Sequence, residues 1–477
     1  MKCEYFDFSA ISKELSLRSD ANFVLSFVPA DSEYYLFSDL FEFVVNEYVD
    51  VTSLLTLNYV EISNISSTED VFPVFLDYEG RNELNENYFK KIEKGDIIKV
   101  NQGDILISKV RPYLKKYLLI DSSNNSYYYT TAFIRIRPKT NPKILFYALK
   151  SVFNQSLNSI SRQGKGYPTL NEKDFYLMRF NKEYLDRLLR NSVSLENRIT
   201  SIEKEISKYK QSLSSEKDII NAIIIKSFNL DINELNRLDG LHYLSVGFKD
   251  IREGGAGLRN SVRFSKMRLI EQEMKRHFQN YTILDEFLLP PKTKNGWSPE
   301  NNDLEGETKL MGIDSLHYNG ILTIDNPKFT NETRDDIDSF YIKNGDFFVS
   351  RGNTVDLVAL ASIAEDIEED LLYPDIMIKL YVDETKIDKQ YLAYLFNSII
   401  GRMYFKYASR GKQQTMVKVS SDTIRNFIIP VIPLEKQRDI VKEIKKASDA
   451  QKGIRDKIKK LRNEIDAIID RTINQTV

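Results

Sequence analysis

Two stretches of this chain carry apolar residues at a spacing of seven. In the first, Ile199, Ile206, Leu213 and Ile220 form one line, and Leu188, Leu195, Ile202 and Tyr209 form a second. In the other, Ile440, Ala447, Ile454, Leu461 and Ile468 repeat the spacing, flanked by Ile444, Ile458 and Ile465. Glu, Lys and Arg fill the positions between, the pattern of helices that pack on one another as coiled coils. Each stretch is about 40 residues long, hence about 60 Å at ~1.5 Å per residue. A solvated helix does not need two apolar seams. The simplest partner for each helix is the other, packed as an antiparallel pair.

The segments before these helices have a different rhythm. "DIIKV", "DILIS", "TTAFIRIRP", "DFFVS" and "DIMIKLYV" are short β-rich runs bounded by Gly, Asn or Pro. "ILFYALKSVFNQSLNSIS" and "QYLAYLFNSIIGRMYFKYAS" are helical by period, and each ends at a basic glycine loop. Pro430 and Pro433 close the last strand and force an extended approach into the helix at Leu434.

Several marks then recur in order. "RSDANF" at Arg18 matches "RLDGLHY" at Arg237, "GDILIS" at Gly103 matches "GDFFVS" at Gly345, and "SRQGKG" at Ser161 matches "ASRGKQ" at Ala408. Three matches in one order, each series ending in a long helix, indicate a duplication. The expected fold is α+β. Two mixed globular units, residues 1–182 and 229–433, are separated by helical spacers at 183–228 and 434–475, packed as an antiparallel coiled coil.

Composition changes this picture only where it is uneven. The 477 residues are 42% hydrophobic and 29% charged, with one cysteine and a net charge of −2. That excludes cysteine-based metal clusters and internal disulfides, and no apolar run approaches the ~20 residues a membrane span needs. A cytoplasmic, non-membrane protein is expected. The near-neutral total hides two acid-free stretches. Ser122–Asn171 carries Arg135, Arg137, Lys139, Lys143, Lys150, Arg162 and Lys165; Lys389–Ser421 carries Lys389, Arg402, Lys406, Arg410, Lys412 and Lys418. Local basic fields of this kind attract phosphate.

No catalytic constellation emerges. There is no phosphate-cradling glycine loop, dinucleotide fingerprint or zinc-binding His-Glu pair, and His242, His277 and His317 are isolated. "YPDIMIKL" at Tyr373 has a nuclease-like Pro-Asp…Lys order without a close second carboxylate, and reads as a strand. What remains is a binding protein. Arg and Lys supply phosphate contacts and guanine readout, and Gln and Asn suit adenine edges. The candidate DNA-binding residues of the first unit are Lys109, Arg111, Arg162, Lys165 and Tyr167. Those of the second are Lys292, Lys294, Arg351, Asn353, Thr354, Arg410, Lys412, Gln413, Gln414 and Lys418. No catalytic or metal-ligating residue is assigned.

With these residues in view, the chain resembles the specificity subunit of type I restriction–modification systems. The resemblance rests on the two-unit layout, both long helices, the Arg-x-Asp-Ala/Gly starts, the Gly-Asp strands ending in Ser, and the "IPVIPLEKQRDIV" segment from Ile429. In the first unit "MRFNKEYLDRLL" lacks both prolines and the Glu-Gln pair of that segment. The resemblance implies a non-catalytic reader of double-stranded DNA, with one half of a split target per unit. It implies two modification subunits that bring S-adenosylmethionine, and restriction subunits that bring ATP and Mg, none of them bound by this chain. A recognition subunit of a type IIB-like system and a coiled-coil scaffold without DNA are the alternatives. The loops of the two units differ, so the two half-sites are expected to differ.

Overall fold

A computed structural model of the chain describes residues 32–66, 69–81, 85–163, 168–241, 244–245, 252–253, 257–258, 261–300, 306–324, 327–367, 370–413 and 416–474. The chain divides into two compact units, Met1–Gln211 with Lys457–Val477, and Ser212–Asp456.

Each unit is built on a four-stranded antiparallel sheet whose third strand leaves a Gly-Asp turn. In the first unit the strand order is Phe41–Phe43, Phe133–Pro138, Ile105–Ser108, Tyr117–Leu119. In the second it is Leu288–Asn295, Met377–Val382, Phe347–Ser350, Ala361–Ile363. The Ile105–Ser108 and Phe347–Ser350 strands are buried at every position. Their uninterrupted apolar sequence follows, because both faces are covered. In the second unit Phe347 and Val349 pack with Tyr391 and Leu395 of the helical layer. Phe348, one residue out of phase, packs with Leu310, Leu371 and Tyr373 of a smaller sheet. Leu106 likewise meets Val60, Ile98 and Tyr129 of the first unit's second sheet.

These second sheets, of four strands in the first unit and three in the second, share a parallel pair. Thr56–Val60 lies parallel to Tyr128–Tyr129, and Thr308–Leu310 lies parallel to Leu371–Leu372. Each unit is closed by pairing an early strand with a late one: Tyr34–Leu36 with Arg179–Asn181, and Tyr281–Ile283 with Ile428–Pro430. A duplication that rests on three short motifs in the sequence is thus a duplication of topology.

The Gly-Asp motif is a structural device. Gly103 and Gly345 have φ of +91° and +87°, conformations that side chains resist. The aspartate that follows accepts a backbone N–H across the turn: Asp104 from Asn101 at 2.9 Å, Asp346 from Lys343 at 2.9 Å. It also pairs with a cation on the neighbouring strand. Asp104, fully buried, holds Arg135 at 2.6 Å and Arg137 at 2.8 Å; Asp346 holds Lys379 at 2.7 Å.

The helical regions depart from the sequence expectation in where they break. Leu434–Asn474 is a single helix of 41 residues. The stretch read as its counterpart is three helices, Lys182–Arg190, Ser192–Gln211 and Glu216–Phe228. The second break has a local cause. Ser215 caps Glu216–Phe228 in a reciprocal box with Asp218, and the Ser214 N–H donates to Gln451 at 2.9 Å instead of to its own helix. Glu216–Phe228 runs antiparallel to the first part of the long helix. Lys226 meets Glu443 at 3.0 Å, and Glu216 accepts from Ser448 at 2.6 Å and pairs with Arg455 at 3.5 Å. In the other unit Lys457 lies 5.5 Å over the Tyr209 ring, and Asp70 pairs with both Lys210 and Arg462. Of the seven-spaced residues, Ile199, Ile206, Ile220, Ile440 and Ile468 are buried, whereas Leu213, Ala447, Ile454 and Leu461 are half-buried.

The helix read from "QYLAYLFNSIIGRMYFKYAS" is also divided, at Ser398, into Lys389–Asn397 and Ile399–Ala408. Gly401 permits the close turn, since a Cβ there would lie 2.2 Å from the Phe396 carbonyl oxygen. The first-unit equivalent, Pro142–Ile160, is unbroken.

Candidate nucleic-acid interface

In both units the chain leaving the Gly-Asp strand is captured by a hairpin from about 60 residues downstream. In the first unit the hairpin joins Arg162–Gln163 to Pro168–Thr169, and in the second Arg410–Gln413 to Met416–Lys418. Val110 bridges Thr169, and Gly352 pairs with Lys418. The Leu170 N–H donates to the Lys109 carbonyl at 2.8 Å, just as the Val419 N–H donates to the Arg351 carbonyl at 2.9 Å. Buried Ser108 and Ser350 fix the exit, their hydroxyls donating to the carbonyls of Val110 at 2.7 Å and Leu357 at 3.0 Å.

This register assigns counterparts. Lys109 corresponds to Arg351, and Thr131 to Asp375, because Lys109 and Arg351 donate their N–H groups to Ala132 and Ile376. Arg162, opposite Thr169, corresponds to Arg410, opposite Lys418. That is one residue from the alignment of "SRQGKG" with "ASRGKQ", because the second hairpin carries one more residue and an irregular register.

The candidates fare unequally. Lys109 donates to the Thr131 carbonyl at 2.8 Å, and Arg351 donates to the equivalent Asp375 carbonyl at 3.3 Å with that residue's carboxylate at 4.0 Å. Arg111 is exposed in a left-handed conformation, φ +50°. Arg162 makes a two-pronged contact to buried Asp174 at 2.7 and 2.8 Å, which ties the first hairpin to the 3₁₀ turn after it. Asn353 accepts from the Thr354 N–H at 2.8 Å; Thr354, Arg410 and Lys418 are exposed. Lys292 is held by Asp285, which also faces Arg425 at 3.5 Å. Lys294 donates to the Ser339 carbonyl at 3.1 Å and lies 4.2 Å over the Phe340 ring. Trp297, half-buried, packs near Phe340. The structure therefore brings together Arg351, Asn353, Arg410 and Lys418 at one hairpin, while Lys292 and Lys294 belong to other contacts. Lys165, Tyr167 and Gln414 lie outside the described residues, as do the side chains of Lys412 and Gln413.

A small pocket of about 140 Å³ opens where the second hairpin meets the strand exit, lined by Arg351, Gly352, Asp375, Ile376, Met416 and Lys418. Sequence reasoning singled out Arg351 and Lys418 but not Asp375, Met416 or Gly352. "YPDIMIKL" held two of the lining residues, Asp375 and Ile376, and their position beside Arg351 depends on a strand pairing that no local pattern announces.

The acid-free runs are not acid-free in space. Arg135 and Arg137 share Asp104, Lys143 meets Glu203 at 2.5 Å, Lys150 meets Glu69 at 2.6 Å, and Lys139 donates to the Ser38 carbonyl at 2.6 Å. In the second run Lys389 meets Glu384 at 2.6 Å and Lys406 meets Asp239 at 2.8 Å. Arg402 is buried and donates to the carbonyls of Phe396, Asp356, Val358 and Ala359, and burial pushes its pKa down to about 10. Arg410 and Lys418 are the members of this second run that the described surface exposes.

Two sequence marks of the second unit are likewise architectural. Asp239, in "RLDG", accepts from Lys406 and from the Tyr407 hydroxyl at 2.6 Å, joining the start of the unit to the helix before the hairpin. Gln437, in "PLEKQ", is buried; it accepts from the Asp388 N–H at 2.8 Å and donates to the Ile432 carbonyl at 2.9 Å. Among the described residues no group of three or more His, Cys, Asp or Glu could hold a metal ion, and no helix is long and apolar enough to cross a membrane.

Each unit thus carries a surface hairpin that sets cations beside a strand exit on a repeated frame. Residues 292–462 match the family described as the type I restriction modification DNA specificity domain. The likeness of the chain to type I specificity subunits rests on that stretch. No curated protein matches the chain. Solved structures align with most of its length at low identity. One, titled as the structural basis of complex assembly and conformational transition of the type I R-M system, is 16% identical, covering 93% of this chain and 98% of that one, with a TM-score of 0.37. The HsdS subunit from Thermoanaerobacter tengcongensis is 15% identical, covering 94% and 99%, with a TM-score of 0.31. A type I restriction–modification S subunit from M. genitalium is 11% identical, covering 93% and 96%, with a TM-score of 0.36. Superpositions this loose carry no argument of their own.

Proposed function

We propose that the chain is the DNA sequence-specificity subunit of a type I restriction–modification complex, and that each unit reads one half of a bipartite duplex target without catalysing a reaction. The supporting observation is the repetition. The family match covers most of the second unit, and the first repeats that unit's four-stranded antiparallel sheet, Gly-Asp turn and captured hairpin. A single reader has no need of two such frames. Phosphate contacts give affinity, and the hairpin side chains give sequence. Methylation would come from modification subunits carrying S-adenosylmethionine, and cleavage from restriction subunits using ATP and Mg. The seven-spaced helices would serve as spacer and as docking surface for the modification subunits.

The test is selection of duplexes from a random-sequence pool by the full chain, followed by salt titration on the winners. Two unlike half-sites separated by a fixed gap are expected, with log affinity falling linearly with log salt. Recovery of no consensus, or of a palindrome with identical halves, counts against the reading. For the helices, Ile206→Asp places a carboxylate at a buried position of Ser192–Gln211 and is expected to abolish co-elution with the modification subunit in gel filtration.

A further inference from the structure

The pocket at the second hairpin contains an arginine whose position is unusually well determined. The Arg351 backbone is fixed on both sides, its N–H donating to the Ile376 carbonyl at 2.7 Å and its carbonyl accepting from Val419 at 2.9 Å. Its side chain touches Asp375 through one terminal nitrogen, at 3.3 Å to the carbonyl oxygen and 4.0 Å to the carboxylate. Asp375 is itself braced, since its carboxylate accepts from the Ser298 hydroxyl at 2.6 Å and its N–H donates to that hydroxyl at 3.1 Å. A guanidinium has five N–H donors in a planar fork, and this anchor uses one edge of it. The remaining walls are apolar, from Ile376 and half-exposed Met416, or bare, at Gly352, with Lys418 at the rim.

We propose that this pocket is a guanine-reading position of the second unit. Arg351, held by Asp375, takes the O6 and N7 acceptors of one guanine in the major groove, and Lys418 contacts the adjoining phosphate. The two-acceptor edge of guanine is what an oriented arginine fork matches best. Ile376 and Met416 keep water from competing. The first unit has Lys109 and Thr131 in these places, a point charge on a carbonyl, and the carboxylate nearby, Asp96, is taken up by the Thr131 N–H at 2.7 Å and hydroxyl at 2.6 Å, so the position distinguishes the two readers. The assignment rests on the DNA-reading function proposed above, and its failure is separable from that function's failure.

The experiment uses the full chain and a random-sequence duplex pool, with Arg351→Ala, Arg351→Lys and Gly352→Val beside wild type. Arg351→Ala is expected to lose one G·C position from one half-site while the rest of the consensus stands, with about ten- to a hundredfold weaker binding to the wild-type winner. Arg351→Lys should retain non-specific affinity yet not restore that position. Gly352→Val fills the pocket. A Cβ there makes ordinary contacts of 3.4 Å to Ile376 and Lys418 and 3.6 Å to Met416, so the fold should survive and the same base position should relax. A consensus unchanged in all three variants, or affinity lost equally on every sequence, overturns the guanine assignment alone. A wild-type chain that selects no consensus overturns the reading function and this assignment with it.

Discussion

The two hairpin exits share a backbone and differ in what restrains their charges. In the first unit Arg162 is clamped by buried Asp174, and Lys109 rests on a carbonyl. In the second the residue in Asp174's place is Thr423, and the carboxylate has moved to Asp375, behind Arg351. One unit anchors the hairpin by a charge pair; the other orients a cation at its mouth. A repeated frame therefore need not repeat its site. The frame is set by turns and strand pairs, and the distribution of a few carboxylates decides which cation is structural.

The largest test of this contrast lies in the frames. Asp104→Ala removes the partner of both Arg135 and Arg137 and leaves Arg135 buried without its carboxylate, so urea unfolding of the full chain should show a loss of about 3–5 kcal/mol. Asp346→Ala removes one pair in a less enclosed setting and should cost about 1–3 kcal/mol. Equal losses would mean that the two Gly-Asp turns are energetically alike. Next, Gln437→Ala should cost about 1–3 kcal/mol in the second unit only, because it leaves the Asp388 N–H and the Ile432 carbonyl without that partner. Hydrogen exchange localises the effect, and protection lost equally in both units would contradict it.

A smaller effect sharpens the comparison at the site. Lys109→Arg alone should leave the first half-site consensus unchanged. Lys109→Arg with Thr131→Asp and Asp96→Asn, which sets a carboxylate behind the arginine and removes the charge of Asp96 to which Thr131 donates, should add a guanine preference of about tenfold. Duplex selection distinguishes the outcomes, and a preference gained from the single substitution would show that the carboxylate is dispensable.

The smallest effect is a pH dependence. Burial opposes ionisation of Asp239, but hydrogen bonds from Lys406 and Tyr407 outweigh it and hold its pKa below the ordinary carboxylate value. Its contribution is therefore present above the unfolded value of about 4 and fades as pH falls through the lower folded one. Asp239→Asn should flatten this acid limb in thermal melts as pH falls below about 4, and an unchanged limb would assign it to other groups.

Much of the fold was legible because its signals are local. Seven-residue spacing, the Gly-Asp turns and the apolar runs of Ile105–Ser108 and Phe347–Ser350 each follow from neighbouring residues. The break before Glu216 was hidden because Leu213 keeps the apolar spacing while Ser214 and Ser215 turn the chain and cap the next helix. The charge fields misled for the opposite reason. Their neutralising partners, Asp104 for Arg135, Glu203 for Lys143 and Glu69 for Lys150, are distant in sequence, and only the fold brings them close. Arg351 and Lys418 were legible as cations near glycine. Asp375, which braces Arg351, was read as part of a strand; it lies in the turn that leads into the strand Met377–Val382.

The anchoring of each hairpin at its base has an evolutionary consequence. The pairs that hold it, Leu170 to Lys109 and Val419 to Arg351, are backbone bonds, indifferent to side-chain identity. The buried serines and Gly-Asp turns that position them lie upstream, in the frame. Substitution at the exposed hairpin positions leaves those bonds in place, whereas Gly411, where a Cβ would lie 2.9 Å from the Met416 carbonyl oxygen, and buried Val417 belong to the frame; the two copies already differ in hairpin length by one residue. A lineage carrying this chain can drift toward a new recognised sequence without passing through poorly folded ancestors. Diversity among its descendants should be densest within the hairpins and sparse at the serines that launch them.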